Sequence, residues 1–452
     1  MMLQMQTGNG QPSELAQLVS AARRKPSNGE SPYQIVLQRV RELVVERYTP
    51  AELSRPNETV RRAILEITRT QIHEYQNAAP LQNLAPLEGD VEIVVQRILS
   101  DLIGYGALDP LLHDAAIEEI IINGHAVWVI DERGKRQVQN AELGSEAETI
   151  ALINRLVAPT GRQVNTTHPI LDAQLPDGSR INATLAPIAH PSPAVTIRRH
   201  RLIARTLDDL VRLGTLSQQA AEFLAVAARA RLGILVAGGT ACGKTNLINV
   251  LAGAFESRDR IIVIEDTREL QLPMQDVVYQ VVRYPNAEGT GEINQQRLVQ
   301  NALRMRADRI IVGEVRGPEV IDMLVAANTG HEGFLSSVHA NSSLDALTKL
   351  MQLAHLAPDL TLAEKTVAQW IASAFQIVVF LKRSHETQQR LVMEILELTG
   401  GVEGEHAILS QPIFTRANGA LERTMYPLHC APRLKERGID PTPFRPNAGG
   451  RA

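Results

Sequence analysis

Cysteine and aromatic residues are scarce in this chain. Among 452 residues there are two cysteines, Cys242 and Cys430, far apart and in no CxxC pair. This argues against a disulfide framework or a cysteine-rich zinc site, and a reducing cytoplasm is the expected compartment. Phe, Trp and Tyr together make up 4%, so a core must rest on Leu, Ile, Val and Ala. No apolar run approaches the roughly 18 residues needed to cross a bilayer. Met1 to Glu30 has no apolar centre of a secretory signal. A basic excess is missing too, and a formal net charge of -4 speaks against a chain built to hold nucleic acid. Work at a membrane would require partner proteins to hold it there.

What is present is an ordinary globular balance, 44% hydrophobic and 21% charged, over a length that suits two or three domains. Residues 1–30 are polar, carry Gly8, Gly10, Pro12, Pro26 and Gly29, and are expected to be a disordered leader. Helical periodicity recurs from about Tyr33 to Tyr48, Glu58 to Tyr75 and Val91 to Ile103, with Pro50, Pro56, Pro80 and Pro86 between. The spacing predicts a small helical module over 31–85. After Pro110 the texture becomes mixed: β-rich Ile117–Asn123 and Ala126–Asp131 flank a hairpin signal at Asn123-Gly124. A helical pattern at Glu146–Val157 follows, then Pro176-Asp177-Gly178, Ile181–Leu185 and Ala194–Arg198. An α+β domain over 86–201 and a linker over 202–212 are expected.

From 213 to 440, short apolar strands alternate with helical stretches, and the strands end on polar residues. Ile234–Ala237 runs into Gly238, Ile261–Ile264 into Glu265-Asp266, Ile310–Val312 into Gly313-Glu314, and Phe334–Val338 into His339; Ile377–Leu381 follows. This predicts a mostly parallel sheet covered on both faces, with a ligand beyond the strand ends. Leu391–Leu398 and Ile413–Arg416 read as a terminal strand pair, and 441–452 as a disordered tail.

Gly238-Gly239-Thr240-Ala241-Cys242-Gly243-Lys244-Thr245 has the spacing of a phosphate-binding P-loop, after an apolar strand and before a helix. Its glycines let backbone N–H groups and a helix amino terminus face phosphates. Lys244 would neutralise the β- and γ-phosphates of ATP, and Thr245 would ligate Mg²⁺. Cys242 is either a thiol open to alkylation or a small residue that fits. Arg309–Glu314 is an apolar strand ending in an acid, the P-loop enzymes' way of holding Mg²⁺ or its water. The usual aspartate is missing at Gly313, leaving Glu314 to act through a water. Of the pair Glu265-Asp266, alternation favours Glu265 as the group that polarises an attacking water; a helix cap at Asp266 or Thr267 is the plain alternative. His331, Glu332 and His339 match no common zinc spacing. Phosphate sensing by imidazole, or satisfied core histidines, are the two readings there. Arg283, Arg297, Arg304, Arg306, Arg309 and Arg316 crowd these elements, as solvated surface residues or as phosphate contacts in a site completed by a neighbouring subunit.

Four motifs in fixed order, GGTACGKT, VIEDTREL, RIIVGEVRG and GHEGFLSSVHANS, resemble the secretion and pilus-assembly ATPases of bacterial type II and type IV systems. GYGALDPLL, EEIIINGHAVWV, LPDGSRINATLAPI, AVTIRR and RYPNAEGTGEIN look most like the tight-adherence (Tad/Flp) pilus, CpaF-like branch. The type IV secretion traffic ATPases come second. The tetracysteine element of type II enzymes is absent. The resemblance spans about Val91 to Leu398. It implies a RecA-like P-loop ATPase domain after an α+β (PAS-like) domain, and a homohexamer binding ATP and Mg²⁺ between those two domains. By the same resemblance Gly238 through Thr245 and Asn246 contact nucleotide, Glu265 activates water, Glu314 orders Mg²⁺ or water, and His339 senses the γ-phosphate. Arg180 and Arg198 would reach the nucleotide, with Arg283, Arg304, Arg306 and Arg316 placed less securely. Inner-membrane platform proteins would be the partners, on the cytoplasmic face. Ala241-Cys242 stands where the family usually has Gly-Ser, and Asn246 where it usually has Thr, both pointing to slower turnover. A nucleotide-regulated scaffold is the rival reading. A nucleic-acid motor fits the acidic balance poorly, and no Asn-Lys-x-Asp motif supports a GTPase.

Overall fold

The computed structural model describes residues 31–49, 52–53, 56–82, 84–131, 134–138, 141, 143–199, 204–284, 290–357, 362–384, 386–404 and 406–446. The expected leader, Pro50, residues 202 and 203 of the expected linker and residues 447–452 of the expected tail lie outside them. The chain divides after Arg199 into two compact units.

In the first unit, helices α1 (Pro32–Arg47), α2 (Glu58–Ala78) and α3 (Val91–Ile103) each start at a side-chain cap, Ser31, Asn57 and Asp90, that accepts from backbone N–H groups of the first turn. Val36, Val40 and Val44 of α1 pack with Ile64, Ile72 and Tyr75 of α2 and Val95 and Ile98 of α3. A short helix, α4 (Asp109–His113), leads into strands β1 (Glu119–Asn123), β2 (Ala126–Asp131) and β3 (Gly134–Gln137), helix α5 (Glu146–Val157), and strands β4 (Ile170–Gln174), β5 (Arg180–Thr184) and β6 (Ala194–Arg198). The six strands form an antiparallel sheet in the order β3-β2-β1-β6-β5-β4. Asn123 pairs with Ala126, so the turn itself is Gly124-His125, one residue later than the Asn-Gly signal suggests; Gly124 takes a φ of 61°.

The second unit opens with α6 (Leu207–Arg212) and α7 (Gln218–Arg229). The expected linker is thus in part a helix, capped by Thr206, because Leu210 has a core to enter. There follow β7 (Ile234–Gly238), α8 (Lys244–Ala252), β8 (Ile261–Glu265), β9 (Val277–Val281), α9 (Gln295–Ala302), β10 (Arg309–Val315) and α10 (Glu319–Asn328). Then come β11 (Leu335–His339), α11 (Ser343–Ala354), α12 (Glu364–Ala374), β12 (Ile377–Arg383), β13 (Arg390–Glu403), β14 (Ala407–Ala417), β15 (Ala420–Arg423) and α13 (Ala431–Glu436). The nine strands order as β15-β14-β13-β12-β7-β11-β10-β8-β9. The run from β12 to β9 is parallel, and β13 to β15 return antiparallel.

Ile234 and Val236 enter one core and Leu235 and Ala237 the other, and β8 divides in the same way. Both faces are therefore covered, which is why these strands are apolar throughout. The expected disordered tail begins too early. Phe444, in a turn at Thr442–Phe444, is buried edge-on against Phe223, and Arg423 donates to its carbonyl. Cys430, at the start of α13, is buried as well.

At the amino-terminal edge of the parallel strands, Asp259 is enclosed by two arginines. Arg231 and Arg309 each donate to it at 2.6 Å, and Arg309, 0% exposed, also donates to Ala228 O and lies 4.0 Å over the Phe255 ring. Gly333 lies so close that an added Cβ would stand 2.6 Å from an Arg309 nitrogen. Removing one member of such a buried pair costs about 3–5 kcal/mol, because the partner charge is left unpaired. Asp259→Ala is expected to destabilise the chain by about that amount in denaturant unfolding, and a change below about 1 kcal/mol would contradict it.

Candidate active site

The parallel pairing sets the ends of β7 and β11 level, while β12 runs two residues further. Gly238 pairs with His339 on one side of β7 and with Leu381 on the other. From Gly238, at a φ of 156°, the chain turns into the loop; an added Cβ there would meet Cys242 Sγ and Leu381 O, each at 2.5 Å. Ala241 is left-handed at 58°, and Gly243, at 99°, stands at the start of α8 with no side chain of its own to cap it. The amides of that first turn, with the helix dipole and a glycine-lined bend, form a cradle suited to an anion. Cys242 is 2% exposed and packs in the core, and burial pushes its thiol up. That favours the plain reading, a small residue that fits, over an alkylation-prone thiol.

Lys244 Nζ donates to Gly238 O at 3.0 Å and Gly239 O at 3.1 Å, and lies 3.8 Å from Glu314 Oε1. Glu314 occupies an irregularity in the β10–β11 pairing between Val312 and Val315, so it lies within the strand rather than beyond its end. Its Oε1 is 2.8 Å from His339 Nε2, and its Oε2 accepts from Arg316 Nε at 2.9 Å. His339 Nε2 also lies 3.5 Å from Lys244 Nζ. The Glu314 contact is no hydrogen bond, since its Oε1 is buried without a hydrogen-bond partner, whereas the lysine ammonium can only donate, so in that contact Nε2 is the acceptor. Arg316 stands 3.6 Å from Asp266, whose carboxylate accepts from the Tyr284 hydroxyl.

Glu265 ends β8 and is 4% exposed. Its Oε1 accepts from the N–H groups of Glu269 and Leu270 at 3.1 and 3.0 Å, while Oε2 is buried with no hydrogen-bond partner. Burial outweighs those two donors and pushes the carboxyl up to about 7. Gly313 makes the room: a Cβ there would lie 3.1 Å from Glu265 Cγ. The missing aspartate thus has a steric reason.

Lys244, Glu314, His339 and Arg316 share one network, with Asp266 at its margin. Asn246 turns away from the loop; its side chain binds both N–H and C=O of Ala204. Arg180 and Arg198 belong to the first unit, directly opposite each other on β5 and β6, with Arg198 3.7 Å from Glu119. Arg283, Arg304 and Arg306 are exposed, and Arg283 donates to Gly291 O. Arg309 is the structural arginine of the opposite edge. Glu332 pairs with Arg433 and Arg437, and the described residues contain no group of three or more metal-ligating side chains. Two residues were missed. Glu269 accepts from the Thr245 hydroxyl at 3.0 Å, and Arg390 donates to Ala241 O at 3.1 Å. Glu269 stood in plain sight within VIEDTREL, but Arg390 is 149 positions from its acceptor.

Fold and site together define a RecA-like P-loop protein, and the comparisons give its family. The family described as "Type II/IV secretion system protein" matches residues 103–394, and the chain belongs to it. A Mycobacterium tuberculosis (strain H37Rv) protein assigned provisionally to conjugal transfer is 36% identical over 312 residues, 67% of this chain and 88% of that one. The type IV secretion system protein PtlH of Bordetella pertussis is 32% identical over 322 residues, 64% of this chain and 92% of that one. The crystal structure of the VirB11 ATPase from the Brucella suis type IV secretion system aligns at a TM-score of 0.35 and 25% identity, covering 67% of this chain and 96% of its own. Among the described residues no helix is long and apolar enough to cross a membrane.

The raised carboxyl of Glu265 makes stability depend on pH. Below 4.5 it is neutral folded and unfolded alike; as pH rises through about 7 the folded state must carry a buried charge. The stability lost over that window is about 3 kcal/mol. Glu265→Gln stays neutral, so its stability relative to the parent is expected to rise between pH 5 and pH 8.5. Denaturant midpoints that keep a constant gap across that range would contradict a buried, neutral Glu265.

Proposed function

We propose that this chain is an ATP-hydrolysing motor of a bacterial secretion or pilus machine. The observation that supports it most is the meeting of Lys244, Glu314 and His339 beside the P-loop. The Gly238–Thr245 backbone, with Asn246 following, and the Lys244 ammonium would bind phosphates. Thr245, and Glu314 through a water, would hold Mg²⁺, which when bound offsets phosphate charge. The donor set suits that ion, since the Thr245 hydroxyl already faces one carboxylate, Glu269.

Glu265 would take the proton of the attacking water. Its Oε2 is buried and open as an acceptor, and its proton affinity lies near neutrality, as a general base requires. The His339 imidazole would read the γ-phosphate. Arg180 and Arg198 are proposed nucleotide contacts, and Arg283, Arg304, Arg306 and Arg316 are proposed to serve sites completed by neighbouring subunits of a hexamer. Hydrolysis would turn domains around that ring and move an inner-membrane platform protein docked on its cytoplasmic face.

Upstream motifs such as GYGALDPLL and LPDGSRINATLAPI support the Tad/Flp pilus branch. The names of the relatives in conjugal transfer and type IV secretion favour a second reading, a traffic ATPase.

Lys244→Ala is expected to abolish ATP turnover while circular dichroism and thermal midpoint stay near the parent's. Glu265→Gln should keep ADP binding and lose about 10²–10⁴-fold in hydrolysis. A parent protein that binds ATP yet never turns it over, alone or with its platform partner, would leave the scaffold reading in place of the motor.

A further inference from the structure

Ala241 carries the one conformation in the P-loop that its side chain resists. Its φ of 58° is left-handed, where a residue with a Cβ meets a bias of roughly five- to thirty-fold. Glycine would take this turn without that bias. Something outside the loop must select it here.

Arg390 is placed to do so. It opens β13, opposite Arg383 of β12, and the β12–β7 register brings this hairpin alongside the loop. Its Nε–H donates to Ala241 O at 3.1 Å. Its stem lines the next turn: an added Cβ at Gly243 would lie 3.2 Å from Arg390 Cδ and 4.0 Å from Leu381 Cδ2. Donor and stem together bracket the Ala241–Gly243 bend from outside the phosphate cradle.

We propose that Arg390 is a positioning residue that holds Ala241 in its left-handed turn, so that nucleotide affinity depends on the β12–β13 hairpin. The proposal rests on the reading of this loop as a nucleotide site. A hydrogen bond from a charged donor favours the held turn roughly ten-fold or more, enough to offset the alanine bias. Without it, the fraction of molecules with a competent loop falls, and apparent affinity falls by that fraction.

The test is ADP titration by calorimetry on the full chain, with Arg390→Met and Arg390→Lys, each made alone and with Ala241→Gly. Methionine keeps an apolar stem against Gly243. Lysine keeps the charge but puts a methylene where Nε–H donates. In the parent background both variants are expected to bind ADP about ten-fold more weakly, and to raise the KM for ATP with kcat within about two-fold. With Ala241→Gly the loss should shrink to roughly two-fold, because the turn no longer resists. Equal losses in both backgrounds, or full affinity in Arg390→Lys, would overturn the proposal in favour of a direct charge effect on the nucleotide. Parent-like ADP binding in Arg390→Met would overturn it outright. A parent chain that binds no ADP would instead refute the nucleotide reading itself.

Discussion

The constraint on which the second unit depends is the parallel register around β7. Both neighbours run with it, and both pairings end on the same residue, Gly238. Because β7 is buried on both faces, polar chemistry can enter only where the strands stop. That register then brings His339 beside the P-loop and sets Leu381 against its first bend. One strand further, β10 and β8 pair Val312 with Ile264, which puts Gly313 against Glu265. A residue larger than glycine at 313 would press on the Glu265 side chain. The departure from the usual acidic strand end is thus one arrangement with the burial of Glu265.

The two ends of β8 carry buried carboxylates in opposite conditions. Asp259 has a guanidinium on each oxygen, and its role is to be satisfied. Glu265 has two backbone donors on one oxygen and none on the other, and its charge is disfavoured by burial. The first condition fixes structure at the end away from the loop. The second keeps proton affinity near neutral pH, which a structural ion pair would not do.

The parallel strands were legible because two-faced burial writes itself as short apolar runs, and the polar residues after Ala237, Ile264 and Val338 marked the site. The helices of the first unit were legible from periodicity and prolines. Other features depended on partners that spacing does not name. Leu207–Arg212 became a helix because Leu210 has a core to enter, and Phe444 is ordered by Phe223, over two hundred positions away. Asn246 read as a ligand through its place after Thr245, yet its amide binds Ala204. Arg309 read as one arginine among several near the phosphates, but as the first residue of β10 it belongs to the opposite edge. Arg390 gave no local signal, because only the antiparallel return of β13 brings it to the loop.

The burial of the cysteines carries a consequence for observing motion. Both thiols lie in the second unit, one inside the nucleotide loop and one at the start of α13, and burial holds both in the protonated form. Thiol reagents attack the thiolate, so each cysteine is silent while its surroundings stay closed. Labelling at Cys242 then counts openings of the P-loop, and labelling at Cys430 counts openings of the carboxy-terminal extension. The chain carries two native clocks, and the ratio of their rates says whether loop and extension open together or apart.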